Sequence, residues 1–377
     1  MHAVSVGETL AAVPIIERLL ERYPDEEILV TTMTPTGSDR VQAVFGQRVH
    51  HVYAPYDLPD SVKRFIRRVN PRLAIVMETE LWPNIIHYTH QAGCPSIIAN
   101  ARLSERSARG YKKLSRLTQS MLSEVTLLAA QANPDAQRFL ELGLKPEQLT
   151  VTGSIKFDLT ISEQLRNASA KARKLWGEDR LVFIAASTHD GEDEPILSVF
   201  EQLKVVFPSL LLVIVPRHPE RFDAVAQMIE KRGWNMLRHS LHGADAGASS
   251  MAELDVLLGD TMGQLLLLYG ASDVAFVGGS LVETGGHNVL EPLAFGVPAI
   301  VGPHIFNFQV ISDLLLQAGA LRQVENQEQL VIQVQALLEN KNQRESMGAL
   351  GKEVVDQNRG ALNRLIGGIE KVTAGIL

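Results

Sequence analysis

The polar residues of this chain that could do chemistry fall at strand-to-helix turns. The richest turn is Val277-Gly278-Gly279-Ser280, followed by Glu283-Thr284-Gly285-Gly286-His287-Asn288 and Glu291-Pro292. It reads as a buried strand ending in small residues, a Gly pair that permits close approach, and a helix opened by Asn288. Backbone N–H groups and a helix dipole in such a place attract phosphate, with Gly279 and Ser280 as candidate contacts. Glu291, in the first helical turn beside an anion site, makes sense as an acceptor for ribose hydroxyls. A capped helix behind a Gly-rich turn would use the same residues. Val215-Pro216-Arg217-His218-Pro219-Glu220 follows the most apolar strand. There Arg217 offers a fork of donors to phosphate or carboxylate, and His218 can hydrogen-bond a base or phosphate. Ser187-Thr188-His189-Asp190-Gly191-Glu192 is a third such turn, where Ser187 and Thr188 either cap the helix or touch phosphate. Asp260-Thr261-Met262-Gly263-Gln264 is a fourth, suited to lining a nucleobase pocket.

The first half repeats the theme with carboxylates. In Ser5-Val6-Gly7-Glu8-Thr9 the acid follows a strand end and a Gly turn, where it can take a proton from an attacking hydroxyl or stabilise a helix N-terminus. Glu78-Thr79-Glu80-Leu81-Trp82 places two more carboxylates at another strand end, pointing the same way if the strand continues through them. Gly153-Ser154-Ile155-Lys156 ends a further strand, and Lys156 there suits an anionic sugar. No metal cluster is expected, since no His pair brackets a Glu at i,i+4 and no paired Cys exists. GxxxxGK[ST] and GxSxG are both missing, which argues against a P-loop nucleotidase and a serine hydrolase.

These turns need a scaffold, and the chain supplies one. Short β-branched runs alternate with amphipathic stretches, the pattern of βαβ units and parallel sheets. Strands are predicted at Ile28–Thr32, Val49–Ala54, Leu73–Glu78, Ser96–Asn100, Leu127–Gln131 and Leu149–Thr152, then at Leu181–Ser187, Leu210–Val215, Asn235–Arg238, Val274–Gly278, Pro298–Val301 and Leu321–Val324. The restart implies two Rossmann-like domains facing each other across a cleft, residues 1–157 and 179–377, joined by a polar link over 158–178 that is helical in pattern. About 342–374 reads as helix, and the last helix is expected to pack back on the first domain. Ligands of such sheets sit beyond the C-terminal strand ends.

The 377 residues are 45% apolar and 21% charged, the balance of a globular protein with a large core. One cysteine, Cys94, leaves no internal disulfide. No apolar run approaches the roughly 18 residues of a membrane span. Met1 leads directly into what reads as the end of a strand, so residues are expected upstream. The net charge of −7 is uneven: residues 1–156 hold 18 basic against 16 acidic residues, and 157–377 hold 18 against 27. Eleven basic residues lie within 63–116, against four acidic ones over 60–120. That patch suits a phosphorylated partner or an anionic membrane surface, or an ordinary solvated face. Aromatics are too scarce among them for a nucleic-acid groove.

At these motifs the chain resembles the 3-deoxy-D-manno-octulosonic acid (Kdo) transferases of lipopolysaccharide synthesis. HAVSVGET, TTMTPTG, PYDLP, METELWPN, NARLSERS, TGSIKFD, ASTHDGED, VPRHPERF, GGSLVETGGHNVLEP and GVPAIVGP run in order through nearly its whole length. The resemblance implies a GT-B fold, a CMP-Kdo donor, a lipid A precursor as acceptor, no cofactor, and work at the cytoplasmic face of the inner membrane behind an N-terminal anchor. By motif position it implies Glu8 as general base, with Glu78 and Lys156 supporting the transition state. Arg217, His218, Met262, Gly263, Gln264, Asn288, Val289, Leu290 and Glu291 would hold CMP. The family commonly has Glu at the position of Gln264 and Pro at that of Val289. A UDP-sugar 2-epimerase-like enzyme shares the expected layout, and a nucleotide-sugar sensor would use the same pocket without transfer.

Overall fold

The computed structural model describes residues 1–241 and 253–374. The chain divides into two compact units, one formed by Met1–Asp158 together with the segment from Asn358 onward, the other by Leu159–Gln357.

In the first unit the apolar runs form six short strands: β1 (Leu29–Thr32), β2 (His50–Tyr53), β3 (Ala74–Met77), β4 (Ser96–Ala101), β5 (Leu127–Ala130) and β6 (Leu149–Val151). β1 pairs with β2, and β3 to β6 pair in sequence order, all parallel. The first residues of the chain close the gap between these two groups. His2 bridges in parallel to both Thr31 and Val76; its N–H donates to Ile75 O at 2.7 Å and its carbonyl accepts from Met77 N at 2.9 Å. All six residues of β4 are buried, as expected of a strand covered on both faces. The helix Val6–Arg22 lays Ile15 and Ile16 into a core shared with Ile75, Ile97, Leu365 and Ile369.

The second unit holds β7 (Val182–Thr188), β8 (Leu211–Pro216), β9 (Met236–Arg238), β10 (Val256–Leu258), β11 (Val274–Val277), β12 (Ala299–Val301) and β13 (Leu321–Gln323). Their order is β13-β12-β11-β7-β8-β10-β9, again parallel throughout. The strand order reverses beside β7, and the functional turns follow β7, β8, β10 and β11.

Two expectations change: a strand appears that was not foreseen, and the C-terminal helical stretch is broken in two. β10 was not predicted; three apolar residues are too few to show a period, yet β10 separates β8 from β9. The stretch 158–178 is helical, as its pattern predicts, and it packs on the second unit. It contains the helix Glu163–Trp176, whose Trp176 is buried against Val182, Leu268 and Ala275; Ser169 Oγ donates to Leu267 O at 3.0 Å and Arg173 pairs with Asp273 at 2.9 Å. The C-terminal stretch is two helices, Lys341–Gln357 and Ala361–Thr373, broken at Gly360 with φ 90. The second lies in the first unit, where the last helix was expected to pack, and the Asp158 carboxylate accepts the Gly360 and Leu362 amides at its start. Among the described residues no helix is long and apolar enough to cross a membrane.

Candidate active site

Glu8 is held at the start of the first helix. Ser5 is the N-cap, its Oγ accepting the Glu8 amide at 3.3 Å and donating to Glu8 Oε1 at 2.7 Å, while Val4 N donates to Oε2 at 2.8 Å. Glu8 therefore does serve the helix N-terminus, and the same contacts fix its carboxylate at the C-terminal edge of the sheet. Only 9% of the residue is exposed. Burial raises its pKa, the negative charges of Glu80 and Glu78 push the same way, and the bonds from Ser5 and Val4 oppose them.

Glu78 ends β3 by turning left-handed, with φ 52. The strand does not continue, so the alternation expected to align Glu78 with Glu80 does not operate. Glu80 instead accepts the Trp82 indole N–H at 2.7 Å, and both carboxylates still act on Glu8 through space. Glu78 Oε2 lies 3.5 Å from Arg102 Nε. Lys156 sits in the short turn Ile155–Phe157, where burial lowers its pKa, Glu78 raises it and Arg102 lowers it. Glu8, Glu78, Glu80, Arg102 and Lys156 thus form one charged neighbourhood within the first unit.

Two residues of this neighbourhood were not singled out from the sequence. Asn100, fully buried at the end of β4 with φ 54, accepts the Ile155 amide on Oδ1 at 3.2 Å and so fixes the turn that carries Lys156. Asn is among the residues that tolerate this conformation, so an Asn closing an apolar strand was the available signal. Arg102 follows two residues later in the same motif.

In the second unit, Arg217 leaves β8 with its amide on Thr188 O at 2.9 Å. Its guanidinium makes no hydrogen bond or ion pair among the described residues, and its charge acts on His189, His287 and Glu291. Glu291 has its pKa pushed up to about 7 by burial, with Asn288 and Arg217 opposing. Asn288 Nδ2 donates to Glu291 Oε1 at 3.1 Å, and Asn288 Oδ1 accepts the Leu290 amide at 3.1 Å. The helix expected from Asn288 is short, Leu290–Ala294, with Val289 as its cap. Val289 and Leu290 are buried, so their side chains serve the core and only backbone is left to meet a ligand. Beyond β10, Met262 is 63% exposed, Gly263 turns with φ 83, and Gln264 caps the helix Leu265–Gly270. His218, exposed beyond β8, lies edge-on to His189 with centroids 5.2 Å apart.

Three predicted phosphate contacts are already engaged. Glu192, which has no exposed surface, accepts the amides of His189 (2.8 Å), Gly279 (2.6 Å), Ser280 (3.0 Å) and Leu281 (2.9 Å). The Gly279 and Ser280 amides are thus bonded to this internal carboxylate. The Ser280 hydroxyl donates to Val277 O at 2.6 Å and accepts Gly302 N at 2.8 Å. The Thr188 hydroxyl donates to Asp193 Oδ1 at 2.6 Å, and the helix that follows has Glu192 at its N-cap with no side-chain cap bond. Ser187 is buried at the strand end with φ 57. Among the described residues no group of three or more His, Cys, Asp or Glu is arranged to hold a metal ion.

Comparison with known proteins bears on this arrangement. The family model for 3-deoxy-D-manno-octulosonic-acid transferase (kdotransferase) matches residues 1–159, and that for glycosyl transferases group 1 matches 249–354. A 3-deoxy-D-manno-octulosonic acid transferase of Haemophilus influenzae is 49% identical over 97% of this chain and 85% of its own length. This chain belongs to the Kdo transferase family. A Bordetella pertussis member is 34% identical over 98% of this chain and 86% of its own. The Kdo transferases are glycosyltransferases, and the chain is an enzyme of that kind. Among solved structures, UDP-GlcNAc 2-epimerase from Neisseria meningitidis bound to UDP-GlcNAc aligns with 98% of this chain and 100% of its own, with a TM-score of 0.64 and 14% identity. The Staphylococcus aureus MnaA–UDP structure aligns at TM-score 0.60, also at 14% identity, over 100% of this chain and 96% of its own. These likenesses are of fold, and they agree with the GT-B class.

Proposed function

We propose that this Kdo transferase moves Kdo from CMP-Kdo to a lipid A precursor in lipopolysaccharide core biosynthesis, by an inverting, metal-independent displacement with Glu8 as general base. The supporting observation is the buried Glu8 carboxylate, fixed by Val4 and Ser5 and raised in pKa beside Glu78. A carboxylate whose pKa is raised holds an accepted proton more tightly than an ordinary one, which suits a general base. Glu8 takes the acceptor's hydroxyl proton as its oxygen attacks the anomeric carbon of Kdo. Positive charge growing on the sugar ring is met by Glu78, and Lys156 with Arg102 balances the sugar's carboxylate. The bond to the phosphate breaks with its electron pair on the phosphate oxygen, opposite the unpaired guanidinium of Arg217. Glu291 and Asn288 suit the ribose, and Met262, Gly263 and Gln264 the base.

The acceptor and its membrane are met by the basic face of the first unit. Val62 and Ile66 of the helix Pro59–Val69 point into the core while Lys63, Arg64, Arg67 and Arg68 are exposed. Arg106, Arg109, Lys113 and Arg116 are exposed too, near Leu114 (62% exposed) and Leu117 (51%). Arg72 and Lys112 of the same set are engaged with Glu26 and Glu141. Cations beside apolar groups suit an anionic lipid surface, consistent with work at the cytoplasmic face of the inner membrane.

Incubation with CMP-Kdo and a lipid A precursor, read by mass spectrometry, tests the proposal. Addition of Kdo mass to the acceptor supports it. Turnover of UDP-GlcNAc without an acceptor would assign the 2-epimerase reaction, and CMP binding without transfer a sensor.

A further inference from the structure

The turns after β7 and β11 bring two histidines together in the second unit. His189 Nε2 and His287 Nε2 are 2.7 Å apart, with ring centroids 5.0 Å apart and ring planes 11° from parallel, so the rings meet end to end. A contact of this length between two ring nitrogens is a hydrogen bond, so one ring donates N–H and the other presents a lone pair. The arrangement is built rather than incidental. Glu192 clamps the His189 amide and the Gly279 amide with the same oxygen, Oε2. Gly279 leaves room for the second ring, since a Cβ there would come within 2.9 Å of His287 Cδ2. Both rings are half-buried.

We propose that the His189–His287 pair is a proton-accepting contact for the phosphate of CMP, binding one proton when the doubly charged phosphate occupies the second unit. The inference rests on the donor-site reading above. The pair can take one proton without losing its hydrogen bond: protonation of the donor ring at Nδ1 leaves Nε2–H pointing at the neutral partner and makes that bond charge-assisted. A second proton would set two N–H groups head to head. The permanent charges acting on the pair are cationic, Arg217 beyond β8 and Arg221 from the turn below it, and the ring of His218 lies beside them. The nearby carboxylates are engaged elsewhere, Asp193 by Thr188 and Arg221, Glu192 by four amides, and Glu291 by Asn288, while exposed Asp190 lies 3.5 Å from Arg221. With the site empty, burial first and then these cations keep the pair neutral, and the pKa of His287 is depressed to about 3. A phosphate dianion reverses the sign of the local field. In the transfer itself, the phosphate gains its second charge as the bond to the anomeric carbon breaks. The proton drawn from solvent onto the pair meets that charge and stays there while CMP is bound.

Isothermal titration of CMP in buffers of different ionisation enthalpy tests this at pH 7.5, above the phosphate's second pKa of about 6. Close to one proton should be taken up per CMP bound, because the pair titrates as a unit. Cytidine should take up none. His189→Gln and His287→Gln should each bind CMP more weakly, with uptake near zero, and histidine-ring NMR of the unaltered protein should show one ring becoming doubly protonated as CMP is added. CMP binding without proton uptake would overturn the proposal, as would uptake that persists in both variants and disappears in Glu291→Gln. Failure of CMP to bind at all would instead remove the donor-site reading beneath it.

Discussion

The Glu192 carboxylate accepts the Gly279 amide at 2.6 Å, joining the turn after β7 to the turn after β11. A glycine-rich turn at a strand end carries an internal counter-anion, and the histidine beyond it is aimed by that bond. Replacing Glu192 with Ala strands four N–H groups, two buried and two partly buried, and a buried one costs about 1–3 kcal/mol when left unsatisfied. The second unit should lose at least about 3 kcal/mol, measured by denaturant unfolding. A loss below 1 kcal/mol would show that water or a rearranged turn replaces the carboxylate.

Glu8→Gln preserves shape and removes the base. Turnover should fall about 10²–10⁴-fold while CMP affinity is unchanged. Because burial raises the Glu8 pKa, activity should fail on the acid side above the ordinary carboxylate range, as pH drops and the base is protonated. A collapse of CMP affinity would move Glu8 into the donor site.

Glu291 links stability to pH. Its folded pKa, about 7, lies above the ordinary 4.5, so the folded state binds the proton more tightly than the unfolded chain. The stabilisation is complete below about pH 4.5 and is lost as pH rises through 7. Glu291→Gln, which cannot ionise, should be more thermostable than the parent at pH 8 relative to its standing at pH 5. Parallel melting temperatures across that range would count against the assignment.

Glu78 sits at φ 52, a conformation that costs a non-glycine residue about 1–2 kcal/mol. Glu78→Gly relieves that cost and removes the carboxylate. The variant should melt no lower than the parent and turn over more slowly. Unchanged kcat would exclude Glu78 from the transition state.

The exposed cations between Lys63 and Arg116 predict salt-sensitive attachment to anionic vesicles. Co-sedimentation should weaken steeply between 50 and 300 mM salt, as the screening length falls from roughly 14 to 6 Å. Replacing Lys63, Arg64, Arg67 and Arg68 with Glu should abolish it without affecting CMP binding.

The sequence was most legible where the signal is periodic or punctuated. β7 and β8 are long apolar runs and were placed within a residue or so of their ends. Glu8, Arg217 and Glu291 sit at turns whose glycine, proline or small residues mark strand ends. β10 escaped because three residues carry no period. Glu78 was misjudged as strand because nothing local marks a left-handed glutamate. The Gly279–Ser280 turn was read as a phosphate cradle because its anion, Glu192, lies 87 residues earlier, and a bond that remote leaves no trace in spacing. Asn100 and Arg102 act through a turn more than 50 residues away, and their role likewise needed coordinates.

The helix Ala361–Thr373 supplies Ala361, Leu365 and Ile369 to the core that also contains Ala3 and Ile15. On the ribosome, the first unit to emerge is therefore the last to be completed. The segment Leu159–Gln357 contains its whole sheet and can fold during synthesis, while the earlier unit waits with an open flank of Ile15, Ile97 and Ala129 for a helix not yet made. A chain cut short at residue 357 would thus hold every residue of the second unit and leave that apolar flank of the first uncovered.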